Sequence, residues 1–296
     1  MKKIKFLGLL TAAALLASCS GDDDSVSRTD ITLQSITLLP SLEENSQYEV
    51  WLTSGGEDIS LGKFRSLSNG QTFSAASSSV ENASAFKISL EPGNDPSADI
   101  SNTVILSGSF NGNSADLTIA NSIGNFSNAS GIFTLWTPTD SDANNNQNGV
   151  YWLNPNNGNP QAGLNLPTLP AGWRYEGWVT VPNANNQSVN LSTGRFSSPT
   201  GRDETAAYSS QVNTAPQFPG EDFVNQSILG QLGFNLLPDL RLKKVFISVE
   251  PEPDNNYAEP FVIQPLINPR STNSLYPTTQ TMDLNTLSFP RGVVSR

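Results

Sequence analysis

The sequence predicts an all-β fold: two tandem β-sandwich-like modules behind an N-terminal export signal. Three observations predict this architecture. Short segments that alternate apolar and polar residues recur along the chain, bounded by Gly, Asn, Pro or Ser. Helical periodicity is nearly absent. Finally, a pattern of aromatic, acidic and glycine residues in the first half recurs in the second half.

The N-terminus has the parts of a lipoprotein signal peptide. Lysines precede an apolar run at residues 6–17, which is too short to span a bilayer as a helix. The run ends in Leu16-Ala17-Ser18-Cys19, which resembles a lipobox. We expect residues 1–18 to be cleaved and Cys19 to carry acyl chains such as palmitate, so that a lipid anchor makes the membrane a partner of this protein.

An acidic segment follows the cysteine. Asp22, Asp23 and Asp24 lie in a stretch with little apolar surface to bury, and residues 19–30 are therefore predicted to be a flexible tether. An acidic cluster directly behind a lipidated cysteine resembles the surface-export signal of some Gram-negative lipoproteins. We expect an outer-membrane location facing the cell surface, with the periplasmic face as the alternative.

Short β-branched or aromatic segments predict the strands of the mature chain. The clearest of them are residues 47–52, 85–90, 104–110, 132–136 and 245–249. Only residues 223–236 are compatible with a short helix, and Gly230 and Gly233 weaken even that prediction.

An internal repeat divides these strands into two modules. Leu39-Pro40-Ser41-Leu42 and Tyr48-Glu49-Val50-Trp51-Leu52 recur as Leu166-Pro167-Thr168-Leu169 and Tyr175-Glu176-Gly177-Trp178-Val179, at a constant offset of 127 residues. Later motifs recur in the same order. We assign residues 31–112 to the first module and 113–296 to the second. The second carries an insertion at about 202–242, which is either a binding loop or a surface elaboration packed on the sheet.

The repeat duplicates a set of polar and aromatic residues. They are Tyr48, Glu49, Trp51, Gly62 and Glu91 in the first module, and Tyr175, Glu176, Trp178, Gly194 and Glu250 in the second. Two carboxylates in each copy would suit a carboxylate-dependent glycoside hydrolase. Because a catalytic pair is rarely kept in both copies of a duplication, a structural role is favoured, with the duplicated tryptophans covering the core.

Composition excludes several kinds of chemistry. The chain has no histidine and one cysteine, so it contains no Ser-His-Asp triad, no histidine-ligated zinc and no internal disulfide. Its net charge of -11 argues against binding to nucleic acid. We therefore predict a protein that is not an enzyme, with no cofactor and no assigned metal site.

Three tryptophans are left unexplained by the repeat: Trp136, Trp152 and Trp173. Aromatic side chains can stack on sugar rings, so a carbohydrate-binding surface lipoprotein is an alternative function, with these residues as possible ligand-binding positions. Burial in the core is the competing interpretation.

The run Asp140-Ser141-Asp142-Ala143-Asn144 begins like a calcium loop. An EF-hand loop has Gly at its sixth position and Glu at its twelfth, whereas this sequence has Asn145 and Tyr151. A polar connecting loop is favoured, and calcium binding near Asp140 and Asp142 is left open.

The repeated motifs resemble the extracytoplasmic C-terminal domain of anti-sigma-K factors. The shared pattern is Tyr48-Glu49-Val50-Trp51-Leu52, then Gly62-Lys63-Phe64, then Leu90-Glu91-Pro92-Gly93 and a closing strand at Val104-Ile105-Leu106-Ser107-Gly108. The second copy departs from the pattern at Glu252, where the first has Gly93.

This resemblance implies a β-rich module that acts outside the cytoplasm in sensing or protein contact. We expect the partner to be an envelope protein or, in the carbohydrate-binding alternative, a glycan. The resemblance does not imply sigma-factor inhibition. Family members that sequester a sigma factor carry a cytoplasmic helical domain and a transmembrane helix before this module, and here a cleaved signal stands in their place. We therefore expect no sigma-factor inhibition by this chain alone.

Overall fold

The prediction of an all-β fold is confirmed. The computed structural model describes residues 26–210 and 215–296, and nearly all of their regular structure is β, in large curled antiparallel sheets. The expected signal peptide, Cys19 and the acidic cluster of the tether lie outside the described residues. The first strand begins at Arg28, so the last residues assigned to the tether belong to the sheet.

Nineteen strands and two short α-helices are described. The strands are β1 (Arg28–Thr37), β2 (Ser46–Ser54), β3 (Glu57–Phe64), β4 (Gln71–Ala76), β5 (Ala83–Pro92), β6 (Val104–Ser109), β7 (Ser114–Thr118), β8 (Ser130–Phe133), β9 (Gly149–Tyr151), β10 (Leu153–Asn154), β11 (Gln161–Ala162), β12 (Leu164–Asn165), β13 (Trp173–Pro182), β14 (Ser188–Phe196), β15 (Gly220–Asp222), β16 (Lys244–Pro251), β17 (Leu266–Asn268), β18 (Gln280–Leu284) and β19 (Arg291–Ser295). The helices are α1 (Ser77–Glu81) and α2 (Gln226–Gln231), with 3-10 turns at Ile119–Asn121, Asn146–Asn148, Asn156–Gly158 and Thr286–Ser288.

Eight strands form the first sheet, in the order β3-β2-β5-β6-β7-β19-β1-β4. The edge strands β3 and β4 approach each other at Phe64 and Phe73, whose ring centroids are 5.4 Å apart. The sheet therefore curls until its two edges lie close together, and apolar side chains fill the space inside the curl.

Two strands of the first sheet come from the part of the chain expected in the second module. β7 contains Leu117, and β19 lies between β1 and β7, paired with both. The sequence expectation placed residues 113–296 in the second module, whereas these two strands pair within the first sheet. Alternation along a segment predicts a strand and its buried face, but it does not specify a partner far away in the sequence.

Seven strands form the second sheet, in the order β12-β8-β18-β17-β16-β13-β14. Two small sheets pair β10 with β11 and β9 with β15. The predicted strand at 132–136 is shorter than expected, because β8 ends at Phe133 and only an isolated bridge joins Thr134 to Tyr151.

The centres of the two sheets share one register. β2 lies between β3 and β5, as β13 lies between β14 and β16. Tyr48 is opposite Phe64 in the first sheet, and Tyr175 is opposite Phe196 in the second. A shift in register follows within the next few residues of each pair. The sequence repeat therefore coincides with a repeat in strand pairing.

A glycine occupies the same place beside each of these irregularities. Gly62 has a φ of 126° and Gly194 a φ of 104°. Residues with a Cβ rarely adopt such angles, so a β-bulge at this point requires glycine. This requirement explains why glycine recurs at both positions.

Each repeated tyrosine ties its strand to the preceding segment. The Tyr48 hydroxyl donates to the carbonyl oxygen of Pro40 at 2.9 Å, and the Tyr175 hydroxyl donates to that of Pro167 at 2.6 Å. Both rings are fully buried. The recurrence of a Leu-Pro motif eight residues before tyrosine therefore has a physical cause in each half.

The insertion of the second half is packed on the body of the protein. It holds β15, which pairs with β9, and α2. Phe223 and Leu229 are fully buried, and Phe234 is nearly so, whereas Phe218 is half-buried. These contacts fit the surface-elaboration interpretation of residues 202–242.

Candidate functional site

A buried relay of three side chains lies on the first sheet. Trp51 Nε1 donates to Ser89 Oγ at 2.8 Å, and Ser89 Oγ donates to Glu91 Oε1. Glu91 Oε1 also accepts from the backbone N–H of Ser101 at 3.3 Å. A hydroxyl has one proton to give and lone pairs to receive, so Ser89 can serve tryptophan and carboxylate at once.

The second sheet holds the same relay. Trp178 Nε1 donates to Ser248 Oγ at 2.8 Å, and Ser248 Oγ donates to Glu250 Oε1. The backbone N–H of Phe261 donates to both oxygens of Glu250, at 2.9 and 3.1 Å. Each relay fixes the loop that follows its Glu-Pro motif.

The other repeated glutamate also has matched partners. Glu49 Oε1 accepts from Ser60 Oγ, and Glu176 Oε1 accepts from Ser192 Oγ, both at 2.5 Å. Each serine accepts in turn from the N–H of the bulge glycine two residues later. The glutamates therefore stabilise the bulges of β3 and β14.

A basic residue joins the carboxylates of each half. Lys63 Nζ lies 3.5 Å from Glu49 Oε2 and 2.9 Å from Asp95 Oδ2. In the second half, the guanidinium of Arg195 contacts three carboxylates at 3.4, 3.0 and 3.1 Å, those of Glu176, Glu252 and Asp254.

The aspartates of these ion pairs were missed by sequence reasoning. Asp95 lies four residues after Glu91, and Asp254 lies four residues after Glu250. The same spacing in both halves was the signal that could have found them. It was overlooked because aspartate in a Pro-rich loop is so often only a turn residue.

Burial has the largest effect on the pKa values of the repeated glutamates in the second half. It raises the pKa of Glu250 to about 8, and it raises that of Glu176 to about 7 against the lowering effects of Ser192 and Arg195. One carboxylate oxygen each of Glu176, Glu250 and Asp254 lies within 4.8 Å of the others, a spacing that could suit a metal ion. The guanidinium of Arg195 already supplies the positive charge there.

The repeated glutamates lie inside the sheets. A glycosidase needs two carboxyl groups on either side of a cleft that admits a sugar. Glu176 and Glu250 are instead 4% and 0% exposed and hydrogen-bonded within the sheet, and Glu49 and Glu91 are equally buried. Their burial and hydrogen bonds favour the structural role expected of them.

Two of the three possible ligand-binding tryptophans are core residues. Trp152 is 0% exposed and Trp173 is 1% exposed, which fits the competing interpretation of burial in the core for both. Trp152 packs over Gly177, where any Cβ would lie 2.3 Å from its indole ring. Trp173 packs against Phe261, at 6.1 Å between ring centroids.

Trp136 is the remaining aromatic position. It is half-buried and stacked on Tyr276, with ring centroids 4.3 Å apart and an interplanar angle of 16°. One face of the indole is therefore covered by tyrosine. The carbohydrate-binding interpretation depends on this pair alone among the three predicted positions.

The possible calcium loop is held by its own hydrogen bonds. Asp140 Oδ1 accepts from the N–H of Asp142, and Asp142 Oδ1 accepts from the N–H of Asn144, at 3.1 and 2.9 Å. Asp140 Oδ2 accepts from the Asn145 side chain at 2.6 Å. These turns are typical of a polar connecting loop.

A family match supports the resemblance of the first half. The family described as "Anti-sigma-K factor rskA, C-terminal" matches residues 9–103, less than half of the chain. The matched range includes Tyr48, Trp51, Gly62 and Glu91 and ends before the second set of repeated residues. No curated protein and no solved structure matches the chain.

In residues 26–210 and 215–296, no helix is both long and apolar enough to cross a bilayer.

Proposed function

We propose that this chain is a non-catalytic, membrane-anchored lipoprotein whose two anti-sigma-K-like modules bind a partner in the cell envelope. The observation that carries the proposal is the matched pair of relays through Ser89 and Ser248. Because a family match covers the first relay, the correspondence of the second supports a second module of the same type.

Strand pairing defines these proposed modules. The first comprises β1 to β7 with β19, and the second comprises β8 to β18 with the insertion. The duplicated acids support a scaffold role, because each is buried and accepts hydrogen bonds from its own module. Because these acids hold the scaffold, we propose a binding or sensing role, without sigma-factor inhibition by this chain alone.

The anchor is tested by Cys19→Ser, with Ser20→Ala as the matched control. We expect the control to fractionate with membranes in a detergent-dependent manner and Cys19→Ser to be released as unprocessed or soluble protein. Equal membrane association of the two variants would contradict lipidation.

Surface exposure needs a separate experiment. Protease added to intact cells should degrade the wild-type chain, whereas replacement of Asp22, Asp23 and Asp24 by Asn should protect it by retaining it on the periplasmic face. Degradation only after the outer membrane is permeabilised would favour the periplasmic alternative.

Partner binding is then tested by chemical cross-linking of the tagged chain on cells, with Cys19→Ser as the unanchored control.

The stacked pair Trp136–Tyr276 favours a second candidate, carbohydrate binding. Glycan-array binding that is lost in Trp136→Ala and retained in Leu287→Ala, an exposed apolar control, would support it. An array without binding by the wild-type chain would exclude it.

A further inference from the structure

A cavity lies where the two Glu-Pro motifs meet. Its volume is about 580 Å³, and its walls come from the loop after β5 in the first half and the loop after β16 in the second. Asn45 and Asn255 join the two sides, because Asn45 Nδ2 donates to the carbonyl oxygen of Asn255 at 2.6 Å. The cavity is therefore a feature of both halves together.

Five carboxylates stand among the polar residues of its lining, beside seven neutral ones. The carboxylates are Glu91, Asp95, Asp99, Glu252 and Asp254. No lysine or arginine is among the described residues that line it. Lys63 and Arg195 approach from outside the lining and pair with three of the five acids, which leaves Glu91 and Asp99 without a cation. The interior is accordingly negative.

Two buried polar groups in this lining are incompletely satisfied. Ser46 is 2% exposed, and its Oγ has no hydrogen-bond partner within the described part of the chain. Glu91 is also 2% exposed, and its hydrogen bonds from Ser89 and Ser101 are both accepted by one oxygen, Oε1. Its counterpart Glu250 differs, because both of its oxygens accept from Phe261. Buried polar groups normally have partners, so the first-module side of the cavity has capacity for a donor.

The lining also has an apolar part. Leu90, Ile100 and three prolines (Pro92, Pro251 and Pro253) supply it. The volume lies in the range of small-molecule sites, far above that of a bare metal ion. An occupant must therefore combine a compact positive head that donates hydrogen bonds with an aliphatic stem.

We infer that this cavity binds an aliphatic primary ammonium group, with the head at Glu91, Asp99 and Ser46 and the methylene stem against Leu90 and the prolines. An ammonium has three donors and no acceptor, which matches a carboxylate and a hydroxyl that both accept. Its source is either a lysine side chain of a partner protein or a free diamine. This inference deepens the proposed binding function and rests on it.

Calorimetry with the purified full-length chain in detergent tests this site. The probes are 1,5-diaminopentane, a lysine-containing tetrapeptide with blocked ends, and the same peptide acetylated at the lysine Nε. We expect saturable binding of at least one of the first two probes and none of the acetylated peptide. A peptide that binds tighter than the diamine identifies a protein side chain as the source, and the reverse order identifies a free amine.

Matched variants locate the binding. Asp99→Asn alters an exposed lining residue outside the relays, so it should fold normally, and we expect it to weaken binding at least about tenfold. Ser46→Ala should also weaken binding, whereas Asp283→Asn, an exposed acid on β18, should leave it unchanged. The inference would be overturned if neither unmodified amine bound, or if both cavity variants bound as tightly as the wild-type chain.

Membrane release by Cys19→Ser is independent of these results, so a failure here would remove the amine site and leave the anchoring proposal standing.

Discussion

Trp178 donates a 2.8 Å hydrogen bond to Ser248 across the pairing of β13 with β16, and the geometry is the same as that between Trp51 and Ser89 across β2 and β5. In both sheets the serine hydroxyl donates its own hydrogen bond to a glutamate two residues later. A tryptophan N–H, a hydroxyl and a carboxylate are thereby satisfied in the interior by one another. Loss of the hydroxyl breaks two hydrogen bonds, which leaves the buried tryptophan N–H without a partner and the buried glutamate with only its backbone N–H donor.

Ser248→Ala and Ser89→Ala should therefore each lower the free energy of unfolding by about 2–3 kcal/mol. Urea denaturation followed by circular dichroism measures this change. Ser97→Ala, at an exposed loop position, is the control and should have an effect within about 0.5 kcal/mol. A relay serine that behaves like Ser97 would show that its half does not depend on the relay.

Trp152 accounts for one difference in sequence between the two halves. The repeat places Val50 in the first half where Gly177 stands in the second. A Cβ at Gly177 would lie 2.3 Å from both Thr193 Oγ1 and the six-membered ring of Trp152. The tryptophan therefore takes the volume that valine fills in the first half.

Gly177→Ala should destabilise the protein by about 2–3 kcal/mol, because the crowded core cannot accept the added carbon. In a Trp152→Leu background the same substitution should cost at least about 1 kcal/mol less, with the remainder due to Thr193. A double-mutant cycle in urea measures this coupling. Gly201→Ala, which has open space around its Cβ, is the matched control, and strict additivity would exclude direct packing as the cause.

Arg195 and Lys63 should differ in their contributions to stability. The Arg195 side chain is 10% exposed and pairs with three carboxylates, whereas Lys63 is 29% exposed and pairs with two. Arg195→Met leaves Glu176 and Asp254 buried without a cation and should cost about 3–5 kcal/mol. Lys63→Met should cost about 1 kcal/mol, because water screens its charges.

Chemical denaturation of both variants tests this order. Arg65→Met, which removes an exposed pair with Glu44 at 3.7 Å, is the control and should be nearly neutral. Arg195→Lys should lie between wild type and Arg195→Met, because one ammonium cannot reach three carboxylates at once. Equal costs for Lys63→Met and Arg195→Met would contradict the argument from burial.

Buried acids should make the protein less stable as pH rises from about 5 to 8. Burial raises the pKa of five carboxyl groups to between about 6 and about 8: Glu176, Asp203, Glu221, Asp222 and Glu250. The folded state therefore holds protons that the unfolded chain releases near pH 4. Stability from these groups is complete below the unfolded pKa and is lost as pH rises through the folded values.

We expect the free energy of unfolding to fall by at least about 1 kcal/mol between pH 5 and pH 8, with a drop in Tm of roughly 2–4 °C per kcal/mol. Thermal melts across this range measure the slope. Glu250→Gln removes one titrating group and should flatten it. A Tm that rises with pH would show that these carboxyl groups are ionised in the folded state.

The sequence predicted what depends on local pattern. Alternation and the repeat were sufficient for the all-β class and for the central strands, including β2 and β13. The burial of Trp152 was not predictable, because it depends on Gly177 in a strand that is distant in the chain. Asp95 and Asp254 recur at the same spacing in the sequence. Only the structure shows the reason, which is that they pair with Lys63 and Arg195. The pairing of β19 with β1 and β7 was not predictable either, because alternation within a short strand does not specify a distant partner.

The strand β19 completes the first sheet, although it is distant in sequence from the other strands of that sheet. It is paired on both sides, with β1 and with β7, and Val294 is fully buried. Arg296 adds hydrogen bonds to the carbonyl oxygens of Val80 and Ala83, both at 2.7 Å. Truncation before Arg291 should therefore expose the edges of β1 and β7 and open the first sheet.

Hydrogen exchange measures this effect strand by strand. Amides of β1 and β7 should lose protection in the truncated chain, whereas those of β13 and β16 should keep most of it, because the second sheet has no strand from this segment. Arg291→Ala changes an exposed side chain of the same strand and should leave the exchange pattern unchanged. Loss of protection in both sheets together would show that the halves unfold as one unit, and unchanged protection in β1 would show that β19 is dispensable to the first sheet.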